Sequence, residues 1–419
     1  MASSSLRFWW SSVKRFSAKP ELDKQLVEAL IRQFGPVSRA KIHDMTGIRP
    51  SATSQIVRQL LREGRVVEAG VEEGRLGRKG VLLRLNDEFR HVGAVEFDDE
   101  TIIAGITNLA PRITHVTAVP AILNHGADGL IRQLVDALKR AIAESGIEPR
   151  SLAGIGIADP GLVDSRNGVT VTSSTIGFWR NIPLKQIFEA EFGLPVLVET
   201  RTRAKTVAER KMAGDGAETM VYIYYGTGIG AGLFVDGRLL YGQHSAAGEF
   251  GHTHIIEDGP ACNCGSFGCL EAIAGLRAVE ARVRRALAEG GQTDLVEMAG
   301  GDASRITGWM VFDAASRGDK ISINIVAEVA RYLGLGIANM VNLFNPAVVV
   351  VDSSLQAAGQ DLLDQIVTII RRQALREFTE SIEVRYGRVA NHAGVLGVAA
   401  MVLDRHFDVA DNHTRPEGR

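Results

Sequence analysis

The chain has 419 residues, of which 45% are hydrophobic and 23% are charged, a balance typical of a soluble protein with two or three domains. No run approaches about 18 uninterrupted apolar residues, which argues against a membrane span and a membrane partner. The amino-terminal segment 1–20 lacks the apolar stretch of about 7–15 residues found in secretory signals, so we expect a flexible arm. The three cysteines lie together within 262–269, which fits a reducing cytoplasm.

Charge is distributed unevenly along the chain. The net charge is −2, but residues 1–90 contain 17 Lys and Arg against 10 Asp and Glu, whereas the remainder contains 30 against 39. A basic segment attached to an acidic body is typical of a protein with a nucleic-acid-binding head.

Within the basic segment, the spacing of apolar residues predicts three helices. The first covers 21–34 and stops at Gly35-Pro36. Ser38 is then placed to cap a short second helix. The third covers about 50–63, with apolar side chains on one face and short polar residues and arginines on the other, the pattern of a recognition helix in the major groove.

Two strands, at 65–69 and 81–85, follow the helices and are joined by a charged, Gly-rich turn. Three helices and such a hairpin predict a winged helix-turn-helix domain over 21–88, although a small structural scaffold would have the same elements. The residues expected to contact DNA from the third helix are Ser51, Ser54, Gln55 and Arg58. In the turn, Arg75, Arg78 and Lys79 are expected either to reach the minor groove or to form an ordinary solvated loop.

From His91 onward, apolar strands alternate with amphipathic helices and Gly-rich turns, which predicts an α/β fold. The strongest chemical signal in this part is the run Cys262-Asn263-Cys264-Gly265-Ser266-Phe267-Gly268-Cys269, ten residues after His252. Three thiolates and one imidazole complete the coordination of a tetrahedral Zn²⁺ ion, and a site without an open position is structural. His254 competes with His252 as the fourth ligand.

The run GTGIGAGLFVDGRLLYGQHSAAGEFGHTHIIEDGPACNCGSFGCLE resembles the signature of the ROK family (repressors, open reading frames and sugar kinases). The resemblance implies an actin-like, ribonuclease H-like fold with two lobes, over 89–200 and 201–405, and a carboxyl-terminal tail over 406–419. It also implies that repressors carry a winged helix-turn-helix before the sugar domain, whereas kinases generally start at that domain.

For the site, the resemblance selects His252, with Cys262, Cys264 and Cys269, as the zinc ligands. It further implies that Glu249, His252 and Glu271 face the hydroxyl groups of a sugar. Carboxylates accept hydrogen bonds from adjacent hydroxyls, and a bound metal would fix the loop that carries them.

Three positions that the resemblance assigns to phosphoryl transfer depart from the kinase pattern. The phosphate loop Asp-x-Gly-Gly-Thr is replaced by Glu96-Phe97-Asp98-Asp99-Glu100, which would repel a triphosphate. The catalytic motif Glu-Asn-Asp-Ala-Asn is replaced by 199–203, where Arg201 stands at the base position and cannot accept a proton. A Gly-Gly pair near adenosine aligns with Asp352-Ser353. We therefore predict that the chain is not an enzyme and does not use ATP.

The same substitutions change the expected ligand site, because Thr200 and Arg201 stand where the family's sugar-contacting Asn and Asp would be. Three interpretations remain open. The ligand is a neutral sugar held mainly by the metal-braced loop, or an anionic sugar derivative with Arg201 and Arg203 as counter-charges. In the third, Arg201 pairs with Glu96 or Asp98 and closes an empty cleft.

Together these patterns predict a cytoplasmic transcriptional regulator of carbohydrate genes, with repression favoured by the resemblance. It would bind operator DNA as a homodimer or homotetramer and respond to a sugar or sugar derivative. The alternatives are an active ATP-dependent sugar kinase with an appended DNA-binding head and a DNA-binding protein without an effector.

Overall fold

The computed structural model describes residues 20–72, 80–214 and 216–408. Its amino-terminal part, the described residues up to 88, is called the head below. The head consists of the helices α1 (Pro20–Phe34), α2 (Arg39–Thr46) and α3 (Pro50–Arg62), and of the strands β1 (Val37–Ser38), β2 (Val66–Val71) and β3 (Val81–Leu85). The strands form one antiparallel sheet in the order β1-β3-β2.

Local signals in the sequence account for the elements of the head. The Ser38 hydroxyl accepts a hydrogen bond from the Lys41 amide at 3.4 Å and so caps α2. Gly47 ends that helix in the left-handed conformation, with φ of 72°. On α3, Val57 and Leu60 are fully buried, so its polar face points away from the core of the head.

The body begins with a five-stranded sheet in the order β10-β7-β4-β5-β6. Its strands are β4 (His91–Phe97), β5 (Thr101–Asn108), β6 (Ile113–Pro120), β7 (Leu152–Asp159) and β10 (Val196–Thr200). The other elements of this part are the helices α4 (Gly126–Ser145) and α5 (Leu184–Phe192) and the hairpin β8 (Leu162–Asp164) and β9 (Val169–Thr172). In the sheet, β4, β5 and β6 are antiparallel, while β7 and β10 run parallel to β4.

A second five-stranded sheet has the order β13-β12-β11-β14-β15. Its strands are β11 (Met220–Tyr225), β12 (Ile229–Val235), β13 (Arg238–Leu239), β14 (Val348–Val351) and β15 (Glu383–Tyr386). Here β11, β12 and β13 are antiparallel, while β14 and β15 run parallel to β11. The two sheets therefore share one topology, and the α/β fold with two similar lobes predicted from the sequence is confirmed.

The helices around the second sheet are α7 (Leu270–Ala274), α8 (Leu276–Ala288), α9 (Leu295–Met298), α10 (Gly308–Ser316), α11 (Lys320–Phe344), α12 (Gln360–Gln373) and α13 (Arg376–Thr379). Among the described residues, α11 is the one helix long and apolar enough to cross a membrane by length and composition. It packs against α10 and α12, with 56% of its apolar window buried, so it is a core helix of the second lobe.

Two further helices, α6 (Arg201–Met212) and α14 (Ala393–His406), pack against each other. Helix α6 contacts strands of both sheets, whereas α14 contacts β4, β7 and β10 of the first sheet. Helix α14, which lies within the expected second lobe over 201–405, returns to the first sheet through its apolar face. Gly397 of α14 lies directly against the Ala204 carbonyl of α6, so the two helix backbones are in close contact.

A methyl group at Gly397 would overlap the Ala204 carbonyl oxygen. We expect Gly397→Ala to lower the free energy of unfolding by about 2 kcal/mol, since a backbone atom cannot yield as a flexible side chain does. Urea unfolding monitored by circular dichroism measures the change. The control is Gly177→Ala, where an added methyl meets nothing within 4 Å and the change should stay within about 0.5 kcal/mol. Equal effects of the two substitutions would contradict the close contact.

Candidate metal centre and ligand cleft

His252, Cys262, Cys264 and Cys269 gather at the start of α7, with their four ligand atoms within 4.8 Å of one another. The Cys262 Sγ lies 3.6 Å from the His252 Nδ1, and the Cys264 Sγ lies 3.8 Å from the Cys269 Sγ. A tetrahedral ion bound to sulfur at about 2.3 Å and to nitrogen at about 2.1 Å separates its ligands by about 3.6–3.8 Å. The four residues therefore fit one tetrahedral metal ion.

His254, the competing ligand in the sequence, lies outside this cluster. Its Nδ1 donates to the Phe267 carbonyl oxygen at 3.0 Å, and it forms a β-bridge with Cys269 through the backbone. His254 thus holds the shape of the loop, while His252 points at the thiols.

The surroundings of the three thiols shift their pKa values in different directions. Burial raises the pKa of Cys262 to about 12 and also raises that of Cys269, whereas a backbone hydrogen bond from Ser266 lowers the pKa of Cys264. A cation that binds three thiolates must displace protons from the two raised groups.

The three carboxylate and imidazole groups predicted to face a sugar lie next to the metal cluster. The His252 Nε2 is 3.9 Å from a Glu249 carboxylate oxygen, while its Nδ1 faces the thiols. Glu271, on α7 two residues after Cys269, accepts a hydrogen bond from the Ile229 amide at 2.9 Å. This bond ties the metal loop to the glycine turn that precedes β12.

Gly248 positions the same loop against β12. Its φ of 101° is a conformation that favours glycine, and its carbonyl accepts a hydrogen bond from the Ala231 amide at 2.8 Å. A side chain at this position would also overlap the Ala231 carbonyl. The loop that carries Glu249 and His252 is therefore fixed at both of its ends.

The other two residues predicted to contact a sugar have different partners. The Thr200 hydroxyl caps α6 by accepting from the Arg203 amide at 3.3 Å. Arg201 donates to Asp98 at 2.7 Å and to the Tyr224 hydroxyl, and its guanidinium lies 4.8 Å from the centre of the Tyr224 ring. The Arg201 side chain is 7% exposed. The ion pair between Arg201 and Asp98 named in the third interpretation is present, and Glu249, His252 and Glu271 lie outside it.

Asp98 also occupies the position of the expected phosphate loop. Its carboxylate accepts hydrogen bonds from the amides of Glu100 and Thr101 at 2.9 and 2.7 Å, within its own turn. Burial opposes the ionisation of Asp98, but Arg201 and these two amides outweigh it and lower the pKa of the carboxyl group. Asp98 thus places a carboxylate in the segment where the resemblance expects a phosphate-binding loop.

Helix α6 carries two further cations that are paired with carboxylates. The Arg203 Nε donates to Glu199 at 2.7 Å, and both side chains are almost fully buried. The Lys205 Nζ lies 3.4 Å from Asp352, which also accepts from the Tyr222 hydroxyl at 2.9 Å. Both cations are therefore neutralised within the protein.

Sequence reasoning missed Tyr222, Tyr224 and Lys205 as parts of this cleft. Tyr222 and Tyr224 alternate on one face of β11, and Lys205 stands one helical turn after Arg201 on α6. The two-residue spacing of the tyrosines on β11 and the four-residue spacing of Arg201 and Lys205 on α6 could have indicated these side chains. The contacts between the two groups depend on how α6 packs on the second sheet.

In the head, the predicted DNA-contacting face of α3 is accessible. Ser51, Gln55 and Arg58 are exposed, Ser54 is half-buried, and the Arg58 Nε donates to the Ser54 carbonyl at 3.3 Å. The remaining predicted DNA contacts, Arg75, Arg78 and Lys79, lie outside the described residues.

The fold and the site together define a two-lobed sugar-kinase-like protein with a His-Cys₃ loop. The ROK family model matches residues 93–405, and the chain belongs to the ROK family.

Individual relatives divide into regulators and kinases. The chain is 27% identical over 384 residues to the xylose repressor of Caldicellulosiruptor bescii, covering 91% of this chain and 96% of that protein. It is 32% identical over 305 residues to a glucokinase of Halalkalibacterium halodurans, covering 72% and 92%. The crystal structure of a ROK family transcriptional regulator, a homologue of the Escherichia coli MLC protein, superposes with a TM-score of 0.79 at 26% identity, covering 93% of this chain and 97% of that one.

Removing the Arg201 cation tests its pairing with Asp98. We expect Arg201→Met to lower the free energy of unfolding by about 2 kcal/mol at pH 7, since it leaves a half-buried carboxylate unpaired. The folded-state pKa of Asp98 is lowered, so the loss should be constant above about pH 4 and should shrink as the pH falls through that lowered value. Urea unfolding between pH 3 and pH 8 measures it.

Two controls accompany this variant. Asp98→Asn combined with Arg201→Met should recover part of the loss, because neither charge is then unpaired. Arg376→Met removes an exposed arginine that pairs with Glu380 and should change stability by less than about 0.5 kcal/mol. A loss for Arg201→Met that is independent of pH would contradict the pairing.

Proposed function

We propose that this protein is a transcriptional regulator, a repressor of carbohydrate uptake or catabolism genes, whose cleft binds a neutral sugar and does not transfer phosphate. The observation that carries this proposal is the ion pair between Arg201 and Asp98, which fills the phosphate side of the cleft. On the other side, Glu249, His252 and Glu271 remain available to hydroxyl groups.

The loss of kinase activity is supported by chemistry at three places. A guanidinium at the base position cannot accept the proton of a sugar hydroxyl. The segment aligned with the phosphate loop carries four carboxylates, and Asp98 occupies the amides of Glu100 and Thr101. Asp352, at the position expected near adenosine, is buried and paired with Lys205, and a carboxylate there disfavours a nucleotide.

A neutral ligand is favoured over an anionic one. Arg201, Arg203 and Lys205 are each paired with a carboxylate of the protein, so none is a free counter-charge for a sugar acid or sugar phosphate. Burial and the Glu271 carboxylate raise the pKa of Glu249 against the charges of His252 and Arg203. Two carboxylates and an imidazole suit the donor and acceptor character of sugar hydroxyls.

DNA binding is assigned to the head. Its three helices and hairpin have the arrangement of a winged helix-turn-helix, α3 presents Ser51, Gln55 and Arg58 to solvent, and residues 1–90 carry an excess of positive charge. The repressor relative matches the chain over 91% of its length, whereas the glucokinase relative matches 72%. A homodimer or homotetramer in the cytoplasm would match an operator with two half-sites.

The metal is proposed to be structural Zn²⁺ held by His252, Cys262, Cys264 and Cys269. Thiolate and imidazole ligands suit this ion, and four protein ligands leave no open position for catalysis. Its role would be to brace the loop between Glu249 and Glu271, so that both groups stay oriented towards a ligand.

The zinc assignment predicts the zinc content of one cysteine variant and one histidine variant. The purified protein should contain one zinc per chain, measured by inductively coupled plasma mass spectrometry, and Cys264→Ser should lose it because one thiolate ligand is gone. The same variant should no longer respond to sugars in DNA binding. His254→Ala is the matched control and should keep its zinc, since His254 bonds to a carbonyl instead. Full zinc content in Cys264→Ser, or its loss in His254→Ala, would refute this ligand set.

The functional proposal is tested by DNA binding and by turnover on the same preparation. A duplex selected from a random library by the wild-type protein serves as operator, and fluorescence anisotropy gives its affinity relative to random duplex. At least one of D-xylose, N-acetyl-D-glucosamine and D-glucose should weaken operator binding tenfold or more, whereas D-glucuronate and D-glucose 6-phosphate should not.

A coupled assay for ADP release with the same sugars should give no rate above the rate without protein. ADP release with any hexose would establish the kinase alternative. Operator binding that no sugar changes would favour a DNA-binding protein without an effector, and a lack of preference for the selected duplex would overturn the assignment of the head.

A further inference from the structure

The last turn of α14 holds a carboxylate that joins three elements of the structure. Asp404 accepts from the Arg32 guanidinium of α1 at 2.9 Å and from the Lys211 ammonium of α6 at 2.6 Å. Its own element, α14, supplies a second contact to the head, because Arg32 also donates to the Leu403 carbonyl at 3.2 Å. The Arg32 guanidinium lies 4.9 Å from the centre of the Phe407 ring. Asp404, on α14, therefore contacts the head through Arg32 and α6 through Lys211.

Helix α6 runs from the ligand cleft to this point. Its first residue, Arg201, is part of the cleft, and Lys211 lies in its last turn. The contact between Gly397 and Ala204 leaves no space between the backbones of α6 and α14, so a displacement of one helix is carried to the other. The described contacts thus form a continuous path from the cleft to Asp404.

Residues of the head and of α14 belong to one buried apolar cluster, and an open space lies at the edge of that contact. A cavity of about 380 Å³ separates α1 from the carboxyl-terminal end of α14. Gln25 lines it and its side-chain carbonyl oxygen is buried without a hydrogen-bond partner. A cavity at this junction leaves room for the head to rotate on the body, and the contacts of Arg32 restrict that rotation.

We propose that Asp404 is a positioning residue for DNA binding: it holds the head at a fixed orientation on the body and passes the state of the cleft to the head through Lys211 and Arg32. In the structure, the predicted DNA-contacting face of α3 is exposed, so the orientation held by Asp404 is compatible with DNA binding. Two heads of an oligomer must keep a fixed separation to reach two half-sites. The part of this inference that concerns sugar rests on the proposed function. The part that concerns the orientation of the head rests only on the contacts of Asp404.

The first test uses the full-length protein without any sugar. Asp404→Asn removes the charge but keeps the shape, and we expect it to weaken binding to the selected operator duplex about three- to tenfold. Asp313→Asn is the matched control: Asp313 pairs with Arg317 and is 41% exposed, close to the 45% of Asp404, but belongs to α10 in the second lobe. It should leave operator affinity unchanged within about twofold. Equal affinity of the two variants would overturn the proposal.

Arg32→Gln and the double variant Arg32→Gln/Asp404→Asn show whether the two residues act together. The double variant should lose less affinity than the sum of the two single losses, because both changes break the ion pair between Arg32 and Asp404. Hydrogen exchange measured by mass spectrometry should show faster exchange in α1 of Asp404→Asn and unchanged exchange in α1 of Asp313→Asn. Additive losses of affinity, or equal exchange in α1, would contradict a positioning role and indicate independent surface effects.

Lys211→Gln tests the connection to the cleft. With whichever of D-xylose, N-acetyl-D-glucosamine and D-glucose weakens operator binding of the wild type, this variant should bind the sugar with wild-type affinity by calorimetry. The sugar should nevertheless reduce its operator affinity at least threefold less than in the wild type. A full response in Lys211→Gln would overturn the path through α6. A wild type that responds to no sugar refutes the proposed function, whereas the comparison of Asp404→Asn with Asp313→Asn still decides the role of Asp404.

Discussion

A buried ion pair across the cleft is the constraint on which the rest of this structure depends. Asp98 follows β4 of the first sheet, Arg201 begins α6, and Tyr224 lies on β11 of the second sheet, so one guanidinium connects both lobes. Removing either charge would leave the other unpaired in a largely buried place, which costs more than the pair itself contributes. The pair thereby connects the end of β4 to the start of α6.

Further along α6, its cationic side chains form ion pairs with carboxylates from different parts of the body. Arg203 pairs with Glu199 just before the helix, Lys205 with Asp352 of the second lobe, and Lys211 with Asp404 on α14. Helix α6 is thus attached to both lobes and to α14, which contacts the head. Such a helix is suited to transmit a change in the cleft to the head. Three cations of α6 that would suit an anionic ligand are thus used to connect parts of the protein.

The sequence was most informative where the chemistry is local. The cysteine cluster and the Ser38 cap follow from short spacings, whereas the choice of His252 over His254 and the two-lobed fold were implied by the resemblance to the ROK family. Partners distant in sequence could not be predicted: the contact between Arg201 and Tyr224 depends on how α6 packs on β11, and that between Arg32 and Asp404 joins residues 372 positions apart. For the same reason, the return of α14 to the first sheet was missed, since its apolar face would fit either lobe.

The central claim is that a cleft of the kinase type has become a sugar-sensing site that no longer accepts nucleotide. Isothermal titration calorimetry of the wild-type protein with Mg²⁺-ATP, in the presence and absence of a sugar that binds, tests it most directly. The account predicts heat of binding for the sugar and none for Mg²⁺-ATP at millimolar concentration. Saturable nucleotide binding, strengthened by the sugar, would contradict it.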